Sequence, residues 1–88
     1  MVKTIHLKEL YLNGTPIQVE EAQIIVTQGG YSKSWELRVS GHYFELSSSK
    51  TNKLVMVSVD GKKYEGEAVP DGSLNTLLGN GKLTELDN

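Results

Sequence analysis

The segment Ser34-Trp35-Glu36-Leu37-Arg38-Val39-Ser40 decides the fold class. Its apolar residues occupy every second position, which is the spacing that brings the side chains of a β-strand to the same face of a sheet. A strand with one apolar and one polar face is typical of an antiparallel sheet that covers a core on one side. We therefore predict that Trp35, Leu37 and Val39 are core residues, because the large apolar area of the indole favours burial over an exposed contact.

Turn signals divide the chain before this strand. Asn13-Gly14 lies between two short apolar segments, and because both residue types tolerate positive φ, the pair predicts a two-residue type I′ hairpin turn. Pro16 has no backbone donor, which predicts an edge strand or the start of a strand. The β-branched segment 22–28 ends at Gly29-Gly30 and predicts a further strand.

The alternation breaks after Val39. Ser40-Gly41-His42 changes the phase of the pattern, which favours a tight turn over a bulge. Phe44 and Leu46 then carry the apolar face of another predicted strand, and residues 47–52 form a polar loop.

Asp60-Gly61 is the second strong hairpin signal. Before it, residues 53–59 predict a strand whose inward positions are Val55, Val57 and Val59. After it, the returning strand places Tyr64, Gly66 and Ala68 on one face and Glu65, Glu67 and Val69 on the other. Gly66 inside this strand predicts a bend or a place where another backbone or a large ring packs closely.

The stretch after Pro70 is ambiguous. Pro70-Asp71-Gly72 predicts a turn, and Ser73 is a possible N-cap for one helical turn over residues 73–78. Residues 82–86 predict a closing strand.

These segments predict one all-β domain over residues 1–88. The predicted fold is a small antiparallel β-barrel or sandwich of six to seven strands in a hairpin meander, with at most one short helical turn near residues 73–78. A chain of 88 residues is enough for one domain and too short for two.

Composition narrows the classes of function. The chain has no cysteine, which excludes disulfides, thiolate catalysis and cysteine-based metal sites. No segment has the apolar length of a signal peptide or a membrane span, so we expect a cytoplasmic protein without a membrane partner. A net charge of −2 is unlike the basic character of most proteins that bind nucleic acid.

No catalytic or metal-binding pattern is present. His6 and His42 have no third ligand at a characteristic spacing, so we predict no metal and no cofactor. Glu65 and Glu67 share a strand face, and pairing with lysine across the sheet is the favoured interpretation over a catalytic carboxylate pair. We therefore predict that the protein is not an enzyme.

The leading hypothesis is a protein-interaction or assembly module that binds a protein partner or a second copy of itself. Its candidate contact surface consists of Tyr11, Tyr31 and Tyr43, because these tyrosines lie outside the apolar alternation and exposed tyrosines make good interface anchors. A free sheet edge is a further route to a partner. The alternative is a small nucleic-acid-binding barrel of the OB or SH3 kind, for which lysines and aromatics give weak support.

The chain also has a resemblance, although no motif identifies a family. A cysteine-free β-meander that ends in Gly79-Asn80-Gly81-Lys82-Leu83 is similar to small structural or accessory proteins of phages and prophages. The resemblance implies a bacterial or phage accessory protein and agrees with an assembly function.

Overall fold

The computed structural model of the chain describes residues 2–29, 32–41, 51–70 and 75–86. These residues form eight β-strands and no helix. The strands are β1 (Val2–Leu12), β2 (Thr15–Pro16), β3 (Glu21–Gly29), β4 (Ser32–Ser40), β5 (Asn52–Ser58), β6 (Lys63–Pro70), β7 (Thr76–Gly79) and β8 (Thr84–Leu86). All of their pairings are antiparallel, so the predicted all-β antiparallel fold is confirmed.

The sheet closes into a six-stranded barrel because the two halves of β1 pair with different neighbours. Residues 2–6 pair with β3, and residues 7–12 pair with β5. The register of the pairing with β5 shifts between Leu7 and Glu9. The ring follows the order β1-β3-β4-β7-β6-β5 and returns to β1. Strand β2 adds to β1, and β8 adds to β6. Of the two predicted architectures, the structure is therefore the barrel.

Two hairpin-connected sets of strands build this ring. One set contains β1, β3 and β4, and the other contains β5, β6 and β7. The chain passes from β4 to β5 between the sets, and the ring closes where β5 pairs with β1 and β7 pairs with β4.

The first predicted hairpin turn is confirmed. Asn13 and Gly14 have φ values of 51° and 85°, as a type I′ turn requires, and Leu12 pairs with Thr15 across it. Pro16 lies in the two-residue strand β2, where its missing donor interrupts no central ladder.

The second hairpin turn is also confirmed. Gly61 has a φ of 91°, and the Ser58 amide donates to the Lys62 carbonyl at 2.8 Å where β5 turns into β6. At the predicted turn after Val39, Gly41 has a φ of 84°, and a Cβ there would lie 2.7 Å from Cγ of Glu20. The predicted strand at Phe44 and Leu46 lies outside the described residues, as do Asp71 and Gly72 of the third predicted turn.

The core lies inside the ring and follows the predicted alternation in two strands. Trp35, Leu37 and Val39 of β4 are all buried. One of the two predicted faces of β6 is buried as well, and it consists of Tyr64, Gly66 and Ala68. The most deeply buried large side chains are Ile24, Leu37, Leu54, Met56 and Leu77.

The predicted inward face of β5 is wrong. Leu54 and Met56 are fully buried, Val55 is only half-buried, and Val59 is 64% exposed beyond the end of the strand. Val57 is buried, but it belongs to the opposite phase. Tertiary pairing selects Leu54 and Met56 because they lie opposite Gly66 and Tyr64, whose face points into the barrel.

The possible helical turn near residues 73–78 is replaced by a strand in its described part. Thr76–Gly79 forms β7, which pairs with both β4 and β6, and Ser73 lies outside the described residues. Filling the place between two strands satisfies the backbone on both sides, which a single helical turn there would not do. The predicted closing strand is present as β8.

Strands β7 and β8 continue along the same side of β6 with an interruption. Ala68 pairs with Gly79 and Glu65 pairs with Thr84, so three positions along β6 correspond to five along the β7–β8 chain. The two additional residues displace the segment between Gly79 and Thr84 out of the ladder, as in a large bulge.

The buried Tyr64 phenol makes the free energy of unfolding depend on pH in the alkaline range. Burial, the nearby Glu85 carboxylate and Asp60 raise the pKa of the Tyr64 phenol above its ordinary value of 10.0. The neutral phenol therefore stabilises the folded state fully below pH 10.0, and this contribution is lost as the pH rises through the folded pKa. We expect the difference in free energy of unfolding between the wild type and Tyr64→Phe to decline above pH 10.0 in urea titrations. Parallel pH profiles of the two proteins would contradict this expectation, and Tyr11→Phe is the control.

Candidate interaction surfaces

Tyr11 is the one residue of the predicted tyrosine surface that the structure describes. Tyr31 and Tyr43 lie outside the described residues, so the structure does not test whether the three tyrosines meet. Tyr11 is half-buried on β1, and its hydroxyl donates to Oε1 of Glu9 at 3.3 Å. It lines a cleft of about 550 Å³.

This cleft, which we call the Tyr11 cleft, exists because β1 leaves β3 after His6 to pair with β5. The segment that joins β2 to β3 spans the resulting gap, and the amide of Ile17 donates to the Leu10 carbonyl at 2.9 Å. Ile17 and Val19 pack against the core. The rim of the cleft carries Glu9, Glu20, Glu21 and Lys8, all exposed.

A second opening lies between the start of β4 and the segment 79–83 that leads from β7 to β8, on another side of the barrel. We call it the β4–β8 opening. It has a volume of about 420 Å³ and is bordered by Val26, Lys33, Trp35, Gly81, Lys82 and Leu83, among others. It forms because β7 pairs with residues 36–38 of β4, whereas no described strand pairs with residues 32–35 on that side.

Trp35 closes the inner end of this opening. Its side chain is only 5% exposed, and its indole Nε1 donates to the Gly81 carbonyl at 3.1 Å. The ring lies against Gly79 and Gly66, and a Cβ added at Gly66 would lie 2.7 Å from Cζ2 of the ring. The predictions that Trp35 is a core residue and that Gly66 marks the close approach of a large ring are both confirmed.

Three ion pairs join charged side chains among the described residues. Nζ of Lys53 lies 3.0 Å from Oε1 of Glu65, which confirms the predicted pairing of a glutamate with lysine across the sheet. Arg38 pairs with Glu36 at 3.3 Å, and Lys62 with Glu85 at 3.8 Å.

Of the two histidines, the structure describes only His6, which is exposed on β1. His42 lies outside the described residues. Within residues 2–29, 32–41, 51–70 and 75–86, no three histidine, aspartate or glutamate side chains are placed to hold a metal ion. The hydrogen bond from the Ser58 hydroxyl lowers the pKa of Asp60, which fits a carboxylate that stabilises the β5–β6 turn.

Sequence reasoning missed the β4–β8 opening. The sequence predicts that Lys82 and Leu83 belong to the closing strand, and no local pattern distinguishes them from its other residues. The signal that could have indicated the opening is the pair of glycines at positions 79 and 81. Glycines inside a strand weaken it, and they often mark a bend or a place where a ring packs closely.

Comparison with protein-family models, curated proteins and solved structures finds no match to this chain. The resemblance to phage and prophage accessory proteins therefore stays a prediction. Among the described residues, no helix is long and apolar enough to cross a membrane.

Proposed function

We propose that this protein is a non-enzymatic interaction module that receives an extended segment of a protein partner along β4, at the β4–β8 opening. One observation carries the proposal. Strand β7 reaches no further along β4 than Trp35, so residues 32–34 of β4 have no described strand beside them on that side, whereas β8 continues beside β6 beyond the end of β7.

The direction of the backbone groups supports strand addition at this edge. The Val39 amide donates to the Asn75 carbonyl on the β7 side of β4 at 3.0 Å. Because backbone groups alternate in direction along a strand, the N–H and C=O groups of Leu37, Trp35 and Lys33 point to the same side. Strand β7 ends at Gly79, which is level with Trp35, so Lys33 presents its donor and acceptor to the opening. Such groups form a template for another strand.

Strand β8 begins directly after Leu83, which lines the opening, and it has a second backbone edge. The Ser58 amide bonds to Lys62 on the β5 side of β6, so the alternation directs the groups of Lys63 and Glu65 to β8. On β8, Thr84 and Leu86 therefore face β6, and the backbone of Glu85 points away from it.

Two observations favour a protein partner over nucleic acid. Trp35 is 5% exposed, so its ring is not available to stack on a base. Arg38, Lys53 and Lys62 each form an ion pair with a glutamate, which reduces the positive charge that phosphates would need.

A neutral octapeptide of alternating threonine and valine tests the proposed strand addition. We expect this peptide to bind the wild type with a dissociation constant of about 1 mM or lower. Lys33→Pro should weaken binding about tenfold relative to Lys33→Ala, because proline removes the donor that faces the opening and alanine keeps it. Fluorescence anisotropy of the labelled peptide measures both.

The control arms decide between the two surfaces. The Lys33 amide points away from β3 and donates no hydrogen bond to it. Lys33→Pro should therefore keep the native emission of Trp35 and the native circular dichroism. Tyr11→Ala changes the Tyr11 cleft and should leave peptide binding unchanged. Loss of binding in Tyr11→Ala with normal binding in Lys33→Pro would overturn the proposed site, and no binding to the wild type would overturn the proposed function.

A further inference from the structure

We infer that the partner segment at the β4–β8 opening is acidic. This inference rests on the proposed function, because it specifies the chemistry of the partner at the same edge. Lys33 and Lys82 border the opening and are both exposed. No acidic residue is among the described residues that line it, and neither lysine forms an ion pair with any of them.

The phase of β4 places the Lys33 side chain. Lys33 is two residues from Trp35 and four from Leu37, so all three belong to the face of the strand that points into the barrel. A residue directly opposite Lys33 on an added strand has its side chain on that same face. A carboxylate at this position pairs with the Lys33 ammonium across the two strands.

The remainder of the opening is largely apolar. Leu83 is half-buried and packs against the core, and Val26 is buried. An extended segment beside Lys33 therefore meets apolar side chains as well as the two ammonium groups.

The described residues that line the opening carry two ammonium groups, those of Lys33 and Lys82, and no carboxylate. Glu67 and Glu65 line an adjoining groove together with Lys82, and Glu65 pairs with Lys53 at 3.0 Å. Glu85 on β8 is outside the lining of the opening and lies 3.8 Å from Lys62. An acidic segment inside the opening therefore meets the two ammonium groups directly.

Three labelled octapeptides test the inference, each with valine alternating with glutamate, threonine or lysine. We expect the glutamate peptide to bind the wild type about tenfold more tightly than the lysine peptide, with the threonine peptide between them. Lys33→Glu and Lys82→Glu should each reduce this preference, and the double variant should reverse it. Lys8→Glu is the matched control, because it makes the same change of charge in the Tyr11 cleft and should leave the preference unchanged.

The outcomes separate this inference from the proposed function. If the threonine peptide binds and the glutamate peptide binds no more tightly than the lysine peptide, the acidic partner is wrong and strand addition stands. If no peptide binds, the proposed function is wrong. An oligonucleotide of ten thymidines is the remaining arm, and tighter binding of this polyanion than of the glutamate peptide would overturn both in favour of nucleic acid.

Discussion

Replacing Trp35 with alanine is expected to lower the free energy of unfolding by about 3–5 kcal/mol, the usual cost of deleting a buried large aromatic side chain. The indole is 5% exposed and lies against two glycines whose missing side chains leave room for it. Its Nε1 donor also holds the segment between β7 and β8 through the Gly81 carbonyl. Since a domain of this size is stable by only about 5–15 kcal/mol, the variant should be unfolded or close to it at 37 °C.

Urea unfolding followed by circular dichroism measures this loss, because the variant has no tryptophan emission. Val59→Ala is the control, since Val59 is 64% exposed and its truncation should change stability by less than about 0.5 kcal/mol. Trp35→Phe keeps a ring but removes the donor to Gly81, and should lie between the two. A loss below about 1 kcal/mol in Trp35→Ala would contradict the packing described for the barrel.

Gly79→Ala is expected to be the second most damaging change, at about 1–3 kcal/mol or more, because the added Cβ would overlap the Trp35 indole. The indole cannot move away easily, since Gly66 supports its other part and the hydrogen bond to Gly81 fixes its edge. Urea unfolding of the variant measures the cost. Gly29→Ala is the matched control, because Gly29 also lies in a strand and a Cβ there meets nothing within 4 Å.

A double-mutant cycle identifies the cause. If the indole is the obstacle, Gly79→Ala should cost less in a Trp35→Phe background than in the wild type, because the smaller ring leaves space for the methyl group. Equal costs in both backgrounds would show that Gly79 is needed for its backbone and not for the ring.

The turns and the β4 pattern were predictable because their information is local. Asn13 and Gly14 need only each other to favour positive φ, and Trp35, Leu37 and Val39 repeat at the period of a strand. Gly66 also carried a local signal, since a glycine inside a strand weakens it unless something packs there.

The inward face of β5 was not predictable from its own residues. Leu54, Val55, Met56 and Val57 are all apolar, so the segment satisfies both phases of alternation equally well. The choice depends on which residues of β6 lie opposite, and that register is a property of the hairpin and the closed barrel.

The two candidate surfaces differ in the same way. The position of Tyr11 outside the core was predictable because this residue lies outside the apolar alternation, and the structure has it half-buried in a cleft. The β4–β8 opening arises from the two additional residues between Gly79 and Thr84, measured against the register of β6. No property of residues 79–84 alone shows that Lys33, far away in sequence, borders the same opening.

The divided pairing of β1 has a consequence for the rate of folding. Its first half pairs with β3, which follows soon afterwards in the chain, whereas its second half pairs with β5 across more than forty residues, as Leu12 does with Leu54. Each three-stranded set can form from neighbouring segments, but the ring is complete only after this distant contact, and closing a long loop costs entropy before any contact offsets it. Small domains dominated by such distant pairings fold over milliseconds to seconds. The strand that begins the sheet is thus also among the last to be fully paired.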